Sequence, residues 1–324
     1  MINHLSRMAA LLALAIPALS VMPSRSATLY PVVTNDRWGF VDKSGSLVVN
    51  PQFERAGTFS SGLAQVRLKL WGYVDTSGKI VINPQFDEAG PFSEGLAAVE
   101  FGKRHGYINL EGKYVVNPQF DGAERFSEGR AAIKLKRLYG YIDKTGSIVI
   151  TPQFQSAAAF SEGLAAIELA GRSGFIAPDG KIIINPQFEK AGSFSEGLAA
   201  ISLGKRWGYV DKTGVMAVNP QFEQAHPFAK GLAPVRLGKL WGFIDRSGKL
   251  VINPQFEDAD SFAEGLARVR LASRWGFIDK SGKFVINPQF DDAMSFSDGL
   301  SRVKLSRKTG YVDAAGKYVW NPSN

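Results

Sequence analysis

The chain has 324 residues, 45% of them hydrophobic, with 34 glycines and 22 phenylalanines. This composition is typical of neither a disordered nor a transmembrane protein. The absence of cysteine excludes disulfide bonds, cysteine-ligated metals and the cysteine-attached anchor of a bacterial lipoprotein. The net charge of +8 is modest for so long a chain, so nucleic acid is not expected as a partner.

The first 26 residues differ from the rest of the chain. Arg7 precedes an apolar run over residues 8–21, and small residues follow it, which is the order of a secretory signal peptide. The run is short and interrupted by Pro17, so it does not span a bilayer comfortably. The sequence therefore predicts a signal peptide over residues 1–26 and an exported mature protein, either periplasmic or extracellular. An uncleaved membrane anchor is the alternative.

From residue 27 to residue 324 one block returns nine times. Nine glycines mark it, at Gly39, Gly72, Gly106, Gly140, Gly174, Gly208, Gly242, Gly276 and Gly310. The first interval is 33 residues and the other seven are 34. Self-similarity at a fixed period indicates a stacked array of small units, none of which buries its apolar face alone. A residue that recurs in every unit is therefore expected to serve the architecture.

Three strand patterns recur in each unit, and the second unit shows them clearly. Residues 63–68 alternate small or apolar with polar side chains, residues 71–75 are aromatic and β-branched, and residues 80–82 are apolar without a break. The last two are joined by a turn from Asp75 to Gly78, in which Asp caps the turn and Gly supplies a positive φ. Each unit is predicted to be a three-stranded antiparallel meander with negligible helix.

A connector follows each third strand. It begins with Asn-Pro-Gln-Phe, where proline ends the strand because it cannot donate to a ladder, and it ends with Phe-Ser-Glu-Gly. Its two phenylalanines, such as Phe86 and Phe92, recur too regularly to be exposed, so we expect them to fill the space between units. Strands two and three are apolar on both faces and should be covered on both. Only the alternating first strand should show a face to water.

Two arrangements satisfy these patterns, namely an open stack of units and a ring closed as a β-propeller. Propellers usually have four to eight four-stranded blades of about 40 residues or more, and nine three-stranded units of 34 residues differ from them in every respect. The favoured prediction is an all-β fold in which nine tandem three-stranded antiparallel meanders stack as one open repeat array over residues 27–324. A closed β-propeller-like ring is the alternative.

Three long motifs return in register over residues 29–322: Trp-Gly-Phe/Tyr-Ile/Val-Asp, Gly-Lys-hydrophobic-Val-Ile-x-Pro-Gln-Phe-Asp/Glu, and Phe-Ser-Glu-Gly-Leu-Ala-x-Val. This set of motifs resembles the signature of the WG-repeat family of bacterial proteins. The resemblance implies a binding or scaffolding module with no shared catalytic residue. The tryptophan position is intact at Trp38, Trp71, Trp207, Trp241 and Trp275. It departs from the family pattern at His105, Tyr139, Ser173 and Thr309.

The sequence offers little for catalysis or metal binding. Its only histidines are His4 in the predicted signal, His105 and His226, and no two have the spacing of a metal-ligand pair. The recurring serines lack a histidine base and a nucleophile-elbow context. Lys or Arg directly follows most turn aspartates, as after Asp245, where a calcium loop would need oxygen donors. We therefore predict no catalytic residue, no metal and no cofactor, and we expect the aspartates to cap turns.

One pattern differs between units and can therefore carry function. In the last three units, the out-facing positions of the first strand hold five cations and no anion: Arg236, Arg268, Arg270, Arg302 and Lys304. Stacked units would align them into a basic stripe, and arginine favours bidentate contact with carboxylate or phosphate. Trp241 and Trp275 belong to the same units and would add stacking if they are exposed. A merely solubilising face is the competing interpretation.

These observations predict a non-catalytic exported repeat scaffold that binds a protein or an envelope polymer, with an anionic ligand on the C-terminal basic stripe. A hydrolase acting on cell-envelope glycans is one alternative, because two of the 30 acidic residues could converge in a cleft. A self-assembling structural protein is the other.

Overall fold

Each repeat folds into one antiparallel sheet, and the nine sheets stack face to face in a closed ring. The computed structural model of the chain describes residues 28–323, which form strands and turns without a helix. The fold is a nine-bladed β-propeller. The predicted all-β array of nine tandem units is confirmed, and it takes the form of the ring given as the alternative. The signal peptide predicted over residues 1–26 lies outside the described residues.

Every blade contains three long strands, named first, second and third by their order along the chain. The first strands are Tyr30–Thr34, Leu63–Leu68, Leu96–Phe101, Ala131–Leu135, Ala165–Leu169, Leu198–Leu203, Ala233–Leu237, Ala267–Leu271 and Leu300–Leu305. The second strands are Arg37–Val41, Leu70–Asp75, Arg104–Asn109, Leu138–Ile142, Arg172–Ile176, Arg206–Asp211, Leu240–Ile244, Arg274–Ile278 and Lys308–Asp313. The third strands are Leu47–Phe53, Ile80–Phe86, Tyr114–Phe120, Ile148–Phe154, Ile182–Phe188, Met216–Phe222, Leu250–Phe256, Phe284–Phe290 and Tyr318–Ser323.

A fourth strand of two residues, not expected from the sequence, precedes the first strand in blades 2 to 9. These short strands are Arg55–Ala56, Glu88–Ala89, Gly122–Ala123, Ser156–Ala157, Lys190–Ala191, Gln224–Ala225, Asp258–Ala259 and Asp292–Ala293. The order across each of these sheets is short, first, second, third. A single residue separates each short strand from the preceding blade, since Phe53 ends blade 1 and Arg55 already pairs with Arg67 of blade 2. One continuous extended segment therefore crosses each of these junctions.

The recurring Trp-Gly pair is explained by an irregularity between the second and third strands. In blade 1, Trp38 lies opposite Phe53 and Phe40 lies opposite Val49, so the third strand carries two extra residues and bulges. The bulge brings the third strand so close that a Cβ on Gly39 would collide with the Val49 carbonyl oxygen. The same collision recurs at the equivalent glycine through blade 8. Glycine is required there because the two backbones approach closely.

The Phe-Ser-Glu-Gly connectors join neighbouring blades by three kinds of contact. Between blades 3 and 4, Phe126 packs on Tyr107 with ring centroids 4.9 Å apart. The Ser93 hydroxyl donates to the Phe126 carbonyl oxygen at 2.7 Å. The Glu94 carboxylate accepts the backbone N–H of Gly129 at 3.0 Å. Equivalent contacts recur at other junctions, so the motif serves the stacking of blades.

The connector phenylalanines fill the space between blades as predicted, since Phe86 is 1% and Phe92 2% exposed. The prediction that only the first strand meets water was wrong. On the first strand of blade 4, Ala132 is buried against blade 5, because the next blade lies over that face. The third strand exposes alternate apolar residues instead, with Val81 42% and Val251 48% exposed.

Blades 9 and 1 close the ring through side chains. Tyr30 and Tyr311 pack edge to face with centroids 5.5 Å apart, and both belong to one buried cluster with Val32 and Leu300. The Tyr30 hydroxyl donates to the Asp298 carbonyl oxygen at 2.7 Å. The open stack favoured from the sequence is therefore corrected to a closed ring. The ring closes because the rotations between successive blades add up to a full turn after nine blades. The sequence of a single repeat does not reveal that rotation angle.

Candidate binding grooves between the blades

A groove opens between neighbouring blades beside the short strands. Between blades 6 and 7 it has a volume of about 540 Å³ and is lined by Trp207, Ser202 and the short strand of blade 7. Between blades 3 and 4 it has a volume of about 490 Å³, and His105 stands at the tryptophan position. The tryptophan position and the out-facing positions of the first strand thus line the same type of groove.

Arg268 is held at the junction of blades 8 and 9. Its guanidinium lies 4.4 Å from the ring centre of Trp275 and forms an ion pair with Asp260. It also donates to the carbonyl oxygen of Ala293 and lies 3.8 Å from the Asp292 carboxylate. With only 23% of its side chain exposed, Arg268 links two blades and does not extend into water.

Of the other four predicted cations, Arg236, Arg270 and Lys304 occupy one repeat position on blades 7 to 9, and Arg302 is the blade 9 equivalent of Arg268. Arg270 Nε lies 3.4 Å from Glu257 Oε2, and Arg236 is half-buried opposite Trp241. Arg302 is half-buried and Lys304 exposed, and both line a cavity between blades 9 and 1. Within residues 28–323 no ion pair joins Arg236, Arg302 or Lys304 to an acid.

The two tryptophans singled out from the sequence are buried. Trp241 is 4% exposed beneath the ring of His226, with centroids 4.6 Å apart. Trp275 is 8% exposed beneath Arg268. Trp38 and Trp207 are instead half-buried and line grooves. The sequence analysis did not single out these two. A usable signal for Trp207 was the small size of the residue at the repeat position of His226, which is Gly192 in blade 6.

At the junction between blades 9 and 1, the described residues of blade 1 supply three strands. Two cavities of about 200 Å³ each lie there, and Arg302 lines both. Trp38 and Lys304 line the first, and Tyr30 and Tyr311 line the second. These five residues define what we name the seam groove.

Burial displaces the pKa values of two tyrosines and one histidine in the grooves. Burial, with the nearby Asp298 carboxylate, raises the pKa of Tyr30 to about 12, and burial raises the pKa of Tyr311 as well. Burial lowers the pKa of His226, against the opposing effect of Asp260. Both tyrosines and this histidine are therefore neutral at pH 7.

The turn aspartates behave as caps. Asp245 Oδ1 accepts the Ser247 hydroxyl at 2.6 Å and the Ser247 and Lys249 backbone N–H groups at 2.9 and 3.1 Å. These bonds lower the pKa of Asp245, the Ser247 hydroxyl contributing most.

Across residues 28–323, no three His, Asp or Glu side chains are grouped so that they could hold a metal ion. Nor do these residues include a helix that is long and apolar enough to cross a membrane.

The sequence profile of the WG containing repeat family matches eight consecutive segments: residues 38–69, 71–104, 106–138, 139–172, 174–207, 207–241, 241–273 and 275–308. These segments cover most of the chain, which therefore belongs to this family, as its motifs indicated. No protein of curated function matches the sequence.

Solved structures resemble this chain at low sequence identity. The crystal structure of a eukaryotic initiation factor is 12% identical, with a TM-score of 0.65, covering 90% of this chain and 95% of its own. BamB from Moraxella catarrhalis is 10% identical, with a TM-score of 0.45, covering 89% of this chain and 92% of its own. The dihydro-heme d1 dehydrogenase NirN is 11% identical, with a TM-score of 0.48, covering 94% and 74%. At such identity the first likeness shows the fold alone, and the other two are weaker still.

Proposed function

We propose that this chain is an exported, non-catalytic binding scaffold that holds an anionic group of a protein or an envelope polymer in the seam groove. The observation that carries the proposal is the pairing of the five C-terminal cations. Arg268 and Arg270 face Asp260 and Glu257, so their charges are already compensated. Arg302 and Lys304 line one cavity and have no ion pair to an acid within residues 28–323. Asp292 lines the same cavity, but the Arg268 guanidinium lies 3.8 Å from its carboxylate.

The chemistry of the seam groove suits an anion that also carries an apolar part. The planar guanidinium of Arg302 can form two parallel hydrogen bonds to a carboxylate or phosphate. Trp38 and Met294 supply apolar surface in the same cavity. Lys304 is exposed at the cavity wall and adds a second positive charge. Arg236, half-buried two blades away, would extend the contact of a long polymer.

The use of the acidic residues supports binding over hydrolysis. Glu128 accepts the backbone N–H of Gly163 at 2.8 Å, and Glu196 accepts that of Gly231 at 2.9 Å. The turn aspartates, like Asp245, are occupied by their own turns. A glycoside hydrolase needs two free carboxyl groups about 5–10 Å apart across the scissile bond, whereas Glu128 and Glu196 hold neighbouring blades together and the turn aspartates cap their turns.

The test is the double substitution Arg302→Gln with Lys304→Gln, assayed for binding to polyglutamate and to dextran sulfate at low ionic strength. The parent should bind one of them with an affinity that falls as salt is added, because exposed charges are screened over about 8 Å at physiological ionic strength. The double variant should bind at least about tenfold more weakly. Lys136→Gln with Arg137→Gln, two exposed cations on blade 4, removes the same charge elsewhere. Equal loss in both variants would contradict a specific groove.

The export part of the proposal has its own measurement. In a bacterial host, the full chain should appear in the periplasm or the medium, and its mass should show loss of the segment predicted as a signal over residues 1–26. Full-length protein confined to the cytoplasm would contradict export. Binding at the seam groove does not depend on that result.

A further inference from the structure

The tryptophan position is covered to different degrees in different blades, since Trp241 is buried and Trp207 is half-buried. In blade 7 the ring of His226 lies on Trp241. The repeat equivalent of His226 in blade 6 is Gly192, and the first-strand residues on the same face are Ala200 and Ser202. All three covering residues of Trp207 are therefore small.

The space above Gly192 is open. A Cβ added there would meet only one neighbouring atom within contact range, the Ala200 carbonyl oxygen at 3.7 Å. Trp207 is half-buried and lines the groove of about 540 Å³ between blades 6 and 7. Ligand pockets of drug-sized molecules have volumes of about 300–1,000 Å³, so this groove has room for a small oligomer.

The wall opposite Trp207 is fixed in place. The Tyr209 hydroxyl of blade 6 donates to the His226 carbonyl oxygen of blade 7 at 2.8 Å. Glu189 accepts the Lys205 backbone N–H at 2.9 Å, and Glu223 accepts the Gly238 backbone N–H at 3.0 Å. The Lys205 N–H group is the main cause that lowers the pKa of Glu189. Burial raises the pKa of Glu223, but backbone N–H groups, that of Gly238 among them, and the Arg206 guanidinium outweigh it and lower the value. The groove is thus bordered by rigid ionised acceptors.

The groove is lined by charges of both signs. Glu189 and Glu223 lie in the same lining as the exposed Lys190 and Lys205, and Gln224 adds an amide with both donor and acceptor atoms. Glu223 is also ion-paired with Arg206. A strongly charged ligand of either sign would meet a like charge in this lining. A neutral ligand with many hydroxyl groups and one flat apolar face fits it, because hydroxyls pair with both signs of charge.

We infer that the groove between blades 6 and 7 is a carbohydrate-binding site, in which Trp207 stacks on the C–H face of a neutral pyranose ring. Glu189, Glu223, Lys190 and Gln224 pair with the hydroxyl groups at its rim. This site goes beyond the seam groove, since it lies on other blades and takes an uncharged ligand.

The probes are maltotriose, cellotriose and chitotriose, titrated into the full mature chain and followed by calorimetry and tryptophan fluorescence. At least one trisaccharide should bind saturably and independently of salt, and Trp207→Ala should weaken that binding by about tenfold or more. Absence of binding by all three sugars to the parent overturns the inference, as does unchanged binding by Trp207→Ala.

A second variant guards against a folding defect in Trp207→Ala. Gly192→His copies the covering histidine of blade 7, keeps Trp207 and meets no atom closer than 3.7 Å at its Cβ. It should abolish the fluorescence response and the binding, while thermal unfolding stays at the parent temperature. Binding unaffected by Gly192→His contradicts stacking on Trp207.

Two controls separate this site from the others. His105→Trp, combined with Glu100→Ser to copy Ser202 of blade 6, places an indole in the groove of about 490 Å³ between blades 3 and 4 and should create a second binding event. The double variant Arg302→Gln with Lys304→Gln should bind the sugar as the parent does, since the seam groove is not involved. Loss of sugar binding in that double variant would place the sugar in the seam groove and overturn the inference.

Discussion

Tyr311 donates its hydroxyl hydrogen to the carbonyl oxygen of Pro31 across 2.8 Å, although 280 residues separate the two along the chain. Within the ring, the same tyrosine position makes a similar bond to the next blade, as from Tyr141 to Ala158 at 2.7 Å. At the closing junction Pro31 of the first strand takes the place of the acceptor beside the short strand. The tyrosine of blade 9 therefore bonds to blade 1 as the equivalent tyrosines bond to their next blades, but its acceptor is a carbonyl oxygen of the first strand.

The first prediction tests this closure. Tyr311→Phe leaves the Pro31 carbonyl oxygen without its buried donor and should lower the free energy of unfolding by about 1–3 kcal/mol, measured by urea denaturation. Tyr141→Phe removes the equivalent internal bond and should cost a similar amount. If the chain were an open stack in solution, Tyr141→Phe would destabilise the protein and Tyr311→Phe would not.

The second prediction concerns the connector phenylalanines. Phe256 is fully buried and Phe262 is 4% exposed, so replacing either by alanine opens a cavity between blades and should cost about 3–5 kcal/mol. Val251→Ala is the control, because Val251 is 48% exposed on the same third strand as Phe256. Near-neutral stability of both phenylalanine variants would show that these rings are not packed between blades.

The third prediction separates the structural arginine from the binding cations. Arg268→Gln removes an ion pair, a hydrogen bond to Ala293 and the cover of Trp275, and should lower the free energy of unfolding by about 1–3 kcal/mol. Lys304 is exposed, so Lys304→Gln should change it by no more than about 0.5 kcal/mol. Equal stability of the two variants in thermal unfolding would contradict the role assigned to Arg268.

The fourth prediction concerns acid stability. Hydrogen bonds within the turns lower the pKa of six aspartates, namely Asp42, Asp75, Asp143, Asp211, Asp245 and Asp279. A carboxyl group with a folded pKa below its unfolded pKa of about 3.9 stabilises the fold above that pH and loses this effect as the pH falls through the folded pKa. The melting temperature should therefore fall below about pH 4.

Replacing all six with asparagine provides the test of that assignment. Asn109 already accepts the backbone N–H of Lys113 at 3.0 Å in one turn, so the amide can serve as the cap. The six-fold variant should melt at a temperature that depends less on pH below about pH 4. An acid transition as steep as the parent's would assign it to other carboxylates.

Much of each blade was predictable because its signals are local. The turn from Asp75 to Gly78 and the connector residues Phe86 and Phe92 behave as their patterns indicated. The short strands escaped prediction because two residues carry no periodicity. The exposure of Val81 on the third strand escaped it because an apolar run does not reveal which neighbour covers it.

The candidate sites depended on contacts between positions that no single motif contains. Arg268 lies over Trp275, but the acids that face it come from the connector that follows the short strand and from the next blade. Trp241 and Trp275 were selected from the sequence only because they belong to the same units as the cations. Trp207 is a better candidate because Gly192, at the position of the covering His226, has no side chain to lie over the indole.

The way the chain crosses from blade to blade has a mechanical consequence. At eight junctions one extended segment is hydrogen-bonded into both neighbouring sheets, as on either side of Glu54. Separating those two blades therefore requires breaking backbone hydrogen bonds. No blade joined in this way can leave its neighbour without the loss of backbone hydrogen bonds on both sides of the junction. Amide hydrogens at these eight junctions should therefore exchange in a cooperative opening of neighbouring blades rather than blade by blade.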